Sequence, residues 1–189
     1  MANHVSSHLK FVRVNDAGMA FILKELQRIN AVERKYGELN IAELEGYETY
    51  EEMCDNVGAK WAHIIDADQH GISFNSAWTP PTEWIEQLIA EIGKIDSNSI
   101  CELTYEDEMP NFVGAFLYQG GELLDGCEED GDEILAMALE NDELREHWDA
   151  ELEEFDDEGQ DMYYEMIWEI ANECQYKILE SARNCLEEA

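Results

Sequence analysis

The segment EFDDEGQDMYYE, Glu154 to Glu165, places acids at positions 1, 3, 5 and 12 of a twelve-residue span, with Gly159 at position 6. That spacing offers oxygen donors to a hard cation in the manner of a helix–loop–helix calcium loop. Two features oppose the reading. Position 1 is Glu154 where the tight loop needs the shorter Asp, and position 8 is Asp161 where an aliphatic residue normally pairs two loops. No second loop accompanies it, because DADQHG (Asp66 to Gly71) lacks the closing Glu and reads as a hairpin turn. Glu154 to Glu165 is therefore expected to be a polar turn between helices. His4 and His8 would share one face of a strand and supply half a metal site, without a third ligand. No carboxylate combines with a His, Ser or Cys in a nucleophile–base pattern. YQGGELLDG has neither the Lys nor the spacing of a phosphate loop. The expectation is a protein that is not an enzyme and holds no cofactor or metal.

The number of carboxylates says more than any one motif. Of 189 residues, 45 are Asp or Glu against 11 Lys or Arg, a formal net charge of −34. Residues 1–94 hold 8 bases and 15 acids, whereas residues 95–189 hold 3 bases and 30 acids. From Glu122 to Glu158 there are 18 acids, answered by Arg145 alone. Like charges at i, i+4 recur at Glu129–Glu133, Asp149–Glu153, Glu153–Asp157, Glu154–Glu158 and along Asp161, Glu165, Glu169 and Glu173. Each such pair destabilises a helix by roughly 0.2–0.5 kcal/mol. Solubility asks for a net charge of only about 2–8 in a small domain, and a halophilic surface would spread its acids evenly. The concentration points instead to a partner. Were residues 122–158 one helix, they would span about 55 Å. The acids would then stand roughly 3 Å apart, close to the 3.4 Å between phosphates along one DNA strand. Such a surface would suit a basic groove built to hold nucleic acid. The residues expected to make the contact are Glu143, Glu146, Asp149, Glu151, Glu153, Glu154, Asp156, Asp157 and Glu158. Trp148 and Phe155 would anchor it, with Tyr163 and Tyr164 nearby. Direct binding of nucleic acid is not expected, because the charge repels phosphate. Phe74, Phe112, Phe116 and Tyr118 could stack on bases but are read as core.

An apolar fraction of 45% is enough to fold this chain in spite of its charge. HVSSHLKFVRVN, from His4, reads as a strand. Asp16 would cap a helix carrying Met19, Ile22, Leu23, Leu26 and Ile29 at helical spacing. TYEEMCDNV is a short helix with Thr49 and Glu52 in capping-box spacing. AKWAHIIDA and GISFNSAW are strands, stopped by Pro80 and Pro81. Thr82 would cap a helix with Trp84, Ile85, Leu88, Ile89 and Ile92, ending near Gly93. ICELTYEDE and FVGAFLYQGG are a further strand pair. This order is the ferredoxin-like split βαβ plan, an α+β fold on an antiparallel sheet. After Gly126 strand patterns cease. Asp132 to Glu154 and Asp161 to Glu187 read as helices, the second with an apolar stripe at Met162, Met166, Ile167, Ile170, Cys174, Ile178 and Leu186. The expected organisation is a ferredoxin-like domain over 1–126 and an acidic helical extension over 127–189. No apolar run approaches the roughly 20 residues of a membrane span, and Met1 to Lys10 lacks the apolar centre of a signal peptide. Five cysteines without a CxxC pair suit free, mostly buried thiols in a reducing cytosol, and structural zinc is not expected.

Residues 1–126 resemble the YubB-like ferredoxin-fold family found in bacteriophages and plasmids. The resemblance rests on MANHV at the start, GAKW (Gly58 to Trp61), FNSAWTPP (Phe74 to Pro81), YEDE (Tyr105 to Glu108) and FVG (Phe112 to Gly114), in the family's order. FNSAWTPP is the most specific of these. The resemblance implies the fold already drawn and a mobile-element origin in a bacterial host. It implies no established activity and no catalytic residues. Joined to the charge, it suggests a phage- or plasmid-encoded nucleic-acid mimic acting in the host cytoplasm against a defence nuclease, as an anti-restriction or anti-CRISPR protein. The alternative is a protein–protein or regulatory module without mimicry, docking through the apolar stripe of the last helix.

Overall fold

In the first strand, Val5, Ser7 and Leu9 are buried and His4, Ser6 and His8 exposed, the period-two alternation of a strand with one face on a core. The computed structural model describes residues 3–34, 36–108, 112–152 and 154–187, with Glu187 described in backbone only. Its elements are β1 (His4–Arg13), α1 (Asp16–Ala31), β2 (Leu39–Asn40), α2 (Ile41–Glu45), α3 (Tyr50–Val57), β3 (Lys60–Asp68), β4 (Gly71–Ala77) and α4 (Thr82–Ile95). There follow β5 (Ile100–Asp107), β6 (Phe112–Gln119), β7 (Glu122–Asp130), α5 (Gly131–Glu140), α6 (Asp142–Glu146), β8 (Trp148–Asp149), β9 (Glu154–Phe155) and α7 (Asp157–Glu187).

The main sheet runs β2-β3-β4-β1-β5-β6-β7. β1 pairs antiparallel with both β4 and β5, and β3 with β4, so β1 and β3 run parallel, as β4 and β5 do. Two βαβ crossovers, β1–α1–β3 and β4–α4–β5, are thus interleaved, which is the ferredoxin-like arrangement. The α+β expectation holds. Helices α1 and α4 cover one face, where Ile22, Ile29, Ile85, Ile89 and Ile92 pack on Leu9, Ile72, Phe74 and Leu103. Asn15, and not Asp16, caps α1, its Oδ1 accepting from the Gly18 N–H at 2.9 Å. The Asn15 N–H in turn donates to Asp96 Oδ2 at 2.7 Å, tying the start of α1 to the end of α4. Thr82 does not cap α4: it is the first helical residue after Pro81, and the helix continues past Gly93 to Ile95. The Thr49–Glu52 capping box forms as read.

The largest departures follow Gln119. Gly120 and Gly121, at φ 59° and 92°, make a two-residue turn in the left-handed region that only glycine enters without strain. The chain returns as β7, hydrogen-bonded to β6 from Phe112↔Asp130 to Gln119↔Glu122. The boundary expected near residue 127 falls inside this strand. Its Asp, Glu and Gly content argues against a strand on propensity, but pairing with β6 overrides that preference. The helix expected over Asp132 to Glu154 is instead α5, α6 and the β8–β9 hairpin. Asp130 caps α5 and Asn141 caps α6, and side chains that accept backbone N–H bonds interrupt a helix as readily as they start one.

Helix α7 lies on the second sheet face, giving three layers. Ile178, Ala182 and Cys174 pack on Ile100, Ala115 and Leu117, while Ile167 and Ala171 pack on Val113. The apolar stripe is thus covered by the chain's own sheet, which removes it as a docking face, and only Leu186 at its end is exposed. Cys127 of β7 and Cys174 of α7 form a disulfide, their Cα atoms 5.3 Å apart. This corrects the expectation of five free thiols. Sheet pairing and helix docking bring together two cysteines 47 residues apart in sequence, which spacing alone does not reveal. The argument for a reducing cytosol loses that support. Cys54, Cys101 and Cys185 are free, and burial pushes the Cys101 thiol up to about 12. Among the described residues no helix is long and apolar enough to cross a membrane.

Candidate acidic binding surface

Residues 122–158 are an acidic strand, two short helices and a hairpin. All seventeen described acids of this segment except Glu129 are exposed. β7 is the edge of the main sheet, and charge along an edge blunts further strand pairing. Within the segment, Arg145 pairs with Asp142 and His147 with Asp156 among the described residues. The remaining carboxylates have little cationic compensation.

Several acids have local duties. Asp130 Oδ1 accepts the N–H groups of Asp132 and Glu133, both at 3.0 Å, and Glu133 accepts back from the Asp130 N–H. Asp149 Oδ1 accepts from Glu151 N–H at 2.8 Å and Leu152 N–H at 3.1 Å, closing the turn between β8 and β9. Asp156 accepts from the Gly159 N–H at 2.9 Å and lies 3.0 Å from His147 Nδ1 through both oxygens. These contacts hold the Asp156 carboxyl below the usual range, the Gly159 N–H contributing most and His147 next. The Asp156 carboxylate in turn raises the His147 imidazole, with Glu158 and Glu146 adding smaller effects. Asp157 and Glu158 open α7, where exposed N–H groups favour negative charge.

The expected residues therefore separate. Glu143, Glu151, Glu154, Asp157 and Glu158 are exposed and available to a partner. Asp149 and Asp156 are exposed but bound into turns, and Glu146 is exposed close to His147, whose imidazole it helps to raise. Glu153 lies outside the described residues. Trp148 and Phe155 are not surface anchors. Phe155 is 8% exposed, its ring 4.9 Å from Trp148 and 5.0 Å from Tyr163. With Ile134, Leu144 and Ile167 these rings form a small core beneath the acidic surface. Tyr163 falls on the buried stripe four residues before Ile167, whereas Tyr164 faces out. Asp161, Glu165, Glu169 and Glu173 form an exposed column down α7, as expected.

The calcium reading does not survive, and the polar turn between helices expected over Glu154 to Glu165 is not there either. Glu154 and Phe155 are in β9, and helix begins at Asp157, so positions 4 to 12 of the supposed loop are helical. Asp66 to Gly71 is a hairpin turn, with Asp68 Oδ1 accepting from the His70 and Gly71 N–H groups. His8 pairs with Ser73 Oγ at 3.0 Å. Phe74 and Tyr118 are buried and Phe112 and Phe116 packed against the same core, as read. The sequence signal for β7 is Gly120–Gly121 after a strand, a hairpin turn.

This geometry can be set beside known proteins. Residues 58–151 match the model of a family described as the ferredoxin-like domain in Api92-like protein. No curated protein and no solved structure matches the chain. The matched segment begins two residues before β3 and ends in the turn after β8, so it takes in β7, α5 and α6. The match thus takes in the ferredoxin-like unit from β3 onward, without β1 and α1, together with most of the acidic segment, across the boundary expected near residue 127.

Proposed function

We propose that the protein acts by binding and not by catalysis, as an acidic mimic of nucleic acid that occupies the basic groove of a nucleic-acid-binding protein. One observation carries this reading: sixteen exposed carboxylates among the described residues between Glu122 and Glu158, with Arg145 and His147 as their close counter-charges. Exposed acids at this density repel one another, a cost that a basic partner would relieve. The mimicry would not be that of a rod. The charges sit on a strand edge, two helices and a hairpin held on a folded core, and a preorganised anionic surface loses less entropy on binding than a flexible tail. The resemblance to a phage and plasmid family suggests a bacterial restriction or CRISPR nuclease as the target. The contact residues in this reading are Glu143, Glu151, Glu154, Asp157 and Glu158.

The test is capture of partners on the immobilised protein from nuclease-treated bacterial lysate, beside a variant with these five acids changed to Lys. The wild type should retain a nucleic-acid-binding protein released by moderate salt, and the variant should not. Capture that is equal for both, or that resists salt, refutes the reading.

A further inference from the structure

Trp61 and Trp78 lie far from the acidic segment in sequence and have backbone φ of 53° and 67°, a left-handed conformation that bulky residues rarely adopt. Neither strain serves the core, since the two side chains are 50% and 46% exposed. The rings face each other at a centroid distance of 5.8 Å. The backbone around Trp78 is held by three hydrogen bonds. The Trp78 N–H donates to Asn3 O at 3.0 Å, Ser76 Oγ donates to Thr79 O at 2.6 Å, and Thr79 Oγ1 donates to Gly58 O at 2.9 Å. The surface already holds a cation of the chain itself: Lys60 Nζ lies 4.0 Å from the Trp61 ring centroid, 5.3 Å from that of Trp78 and 5.7 Å from that of Tyr50. Beside it opens a cavity of about 640 Å³ lined by Trp61, Glu38, Glu108, His4, His63 and Asn75.

We infer that Trp61 and this cavity bind a cationic side chain, the guanidinium of an Arg or the ammonium of a Lys, presented by a partner protein. An indole face attracts cations through its quadrupole, and Arg stacks on it best. Glu38 and Glu108 supply the charge that a guanidinium would hydrogen-bond. The net charge of −34 concentrates cations around the molecule and disfavours phosphate, so a nucleic acid stacking on the same rings is the weaker fit. The site is independent of the acidic surface and does not rest on the mimic reading.

The experiment titrates the full chain with N-acetyl-arginine amide, and separately with neutral N-acetyl-citrulline amide, in about 0.15 M salt to screen diffuse attraction. The tryptophan indole N–H signals are followed by NMR. The arginine probe should shift the Trp61 and Trp78 signals saturably and citrulline should not. Trp61→Gly, which removes ring and strain together, should abolish the response while leaving the protein at least as stable. The double variant Glu38→Gln/Glu108→Gln, which leaves the backbone untouched, should weaken binding about tenfold. The five-acid Lys variant of residues 143–158 should bind the probe as the wild type does, which separates this site from the mimic surface. Equal response to both probes, loss of response in the five-acid variant, or tighter binding of an oligothymidine than of the arginine probe overturns the inference.

Discussion

Replacing Phe155 by Ala separates two roles that the sequence leaves open, an anchor that meets a partner and a core residue that supports the acidic surface. The ring is 8% exposed and contacts Trp148 and Tyr163 at 4.9 and 5.0 Å. Burying a Phe contributes about 1.5–3 kcal/mol, and each aromatic pair adds about 0.5–1.5 kcal/mol. Phe→Ala in a core costs about 3–5 kcal/mol. The neighbouring two-residue strands can partly close over the gap, so the low end applies, about 3 kcal/mol. For a chain of this size that lowers Tm by about 6–12 °C. Urea and thermal unfolding measure the loss, and amide exchange should show the opening centred on the β8–β9 hairpin and the first turns of α7. Glu154→Lys, one residue away and exposed, should shift stability by less than about 0.5 kcal/mol. If Phe155→Ala leaves the unfolding transition unmoved while Glu154→Lys shifts it, the aromatic cluster is not the support described here.

Three further outcomes follow from the geometry. The Cys127–Cys174 disulfide spans 47 residues, and on the chain-entropy account opening a loop of that length costs up to about 4 kcal/mol. Cys127→Ser/Cys174→Ser should therefore unfold at lower urea than oxidised wild type and match the reduced wild type. His147 is raised and Asp156 lowered by their mutual contact, so His147 stabilises the fold below its unfolded value of 6.5 and loses this as pH rises through its folded value. Asp156 stabilises above its unfolded value of 3.8 and loses this as pH falls through its folded value, so the pair contributes most between the two. His147→Gln should flatten the decline in Tm from about pH 6 to pH 8 that this pair gives the wild type. A Cβ at Gly114 would lie 2.4 Å from Tyr105 Cζ, whose ring stacks on Phe116 at 5.7 Å. Gly114→Ala should destabilise by about 1–3 kcal/mol, measured in urea.

Much of the fold was legible because its signals were local. Val5, Ser7 and Leu9 alternate with exposed residues, Ile22, Leu26 and Ile29 repeat at helical spacing, and Pro80–Pro81 stops a strand. What escaped was decided by distant contacts. Strand β7 looks unlike a strand until β6 is there to pair with it. The rings of Trp148 and Phe155 look like surface anchors until Ile134, Leu144 and Ile167 close around them. The density of acids was legible, but the spacing argument built on one long helix was not sound, because Asp130, Asn141, Asp149 and Asp156 each divert the backbone into a new cap or turn. Trp61 and Trp78 stood in the two motifs GAKW and FNSAWTPP, yet only the folded sheet shows them facing each other.

The central claim is that the acidic surface takes the place of nucleic acid on a partner, and competition tests it most directly. The captured partner, held on the immobilised protein, would be challenged with increasing duplex DNA at constant ionic strength. Mimicry predicts displacement at DNA concentrations near the partner's own affinity for DNA, with one site released per molecule bound. A partner that holds DNA and this protein together, with neither weakening the other, would contradict it.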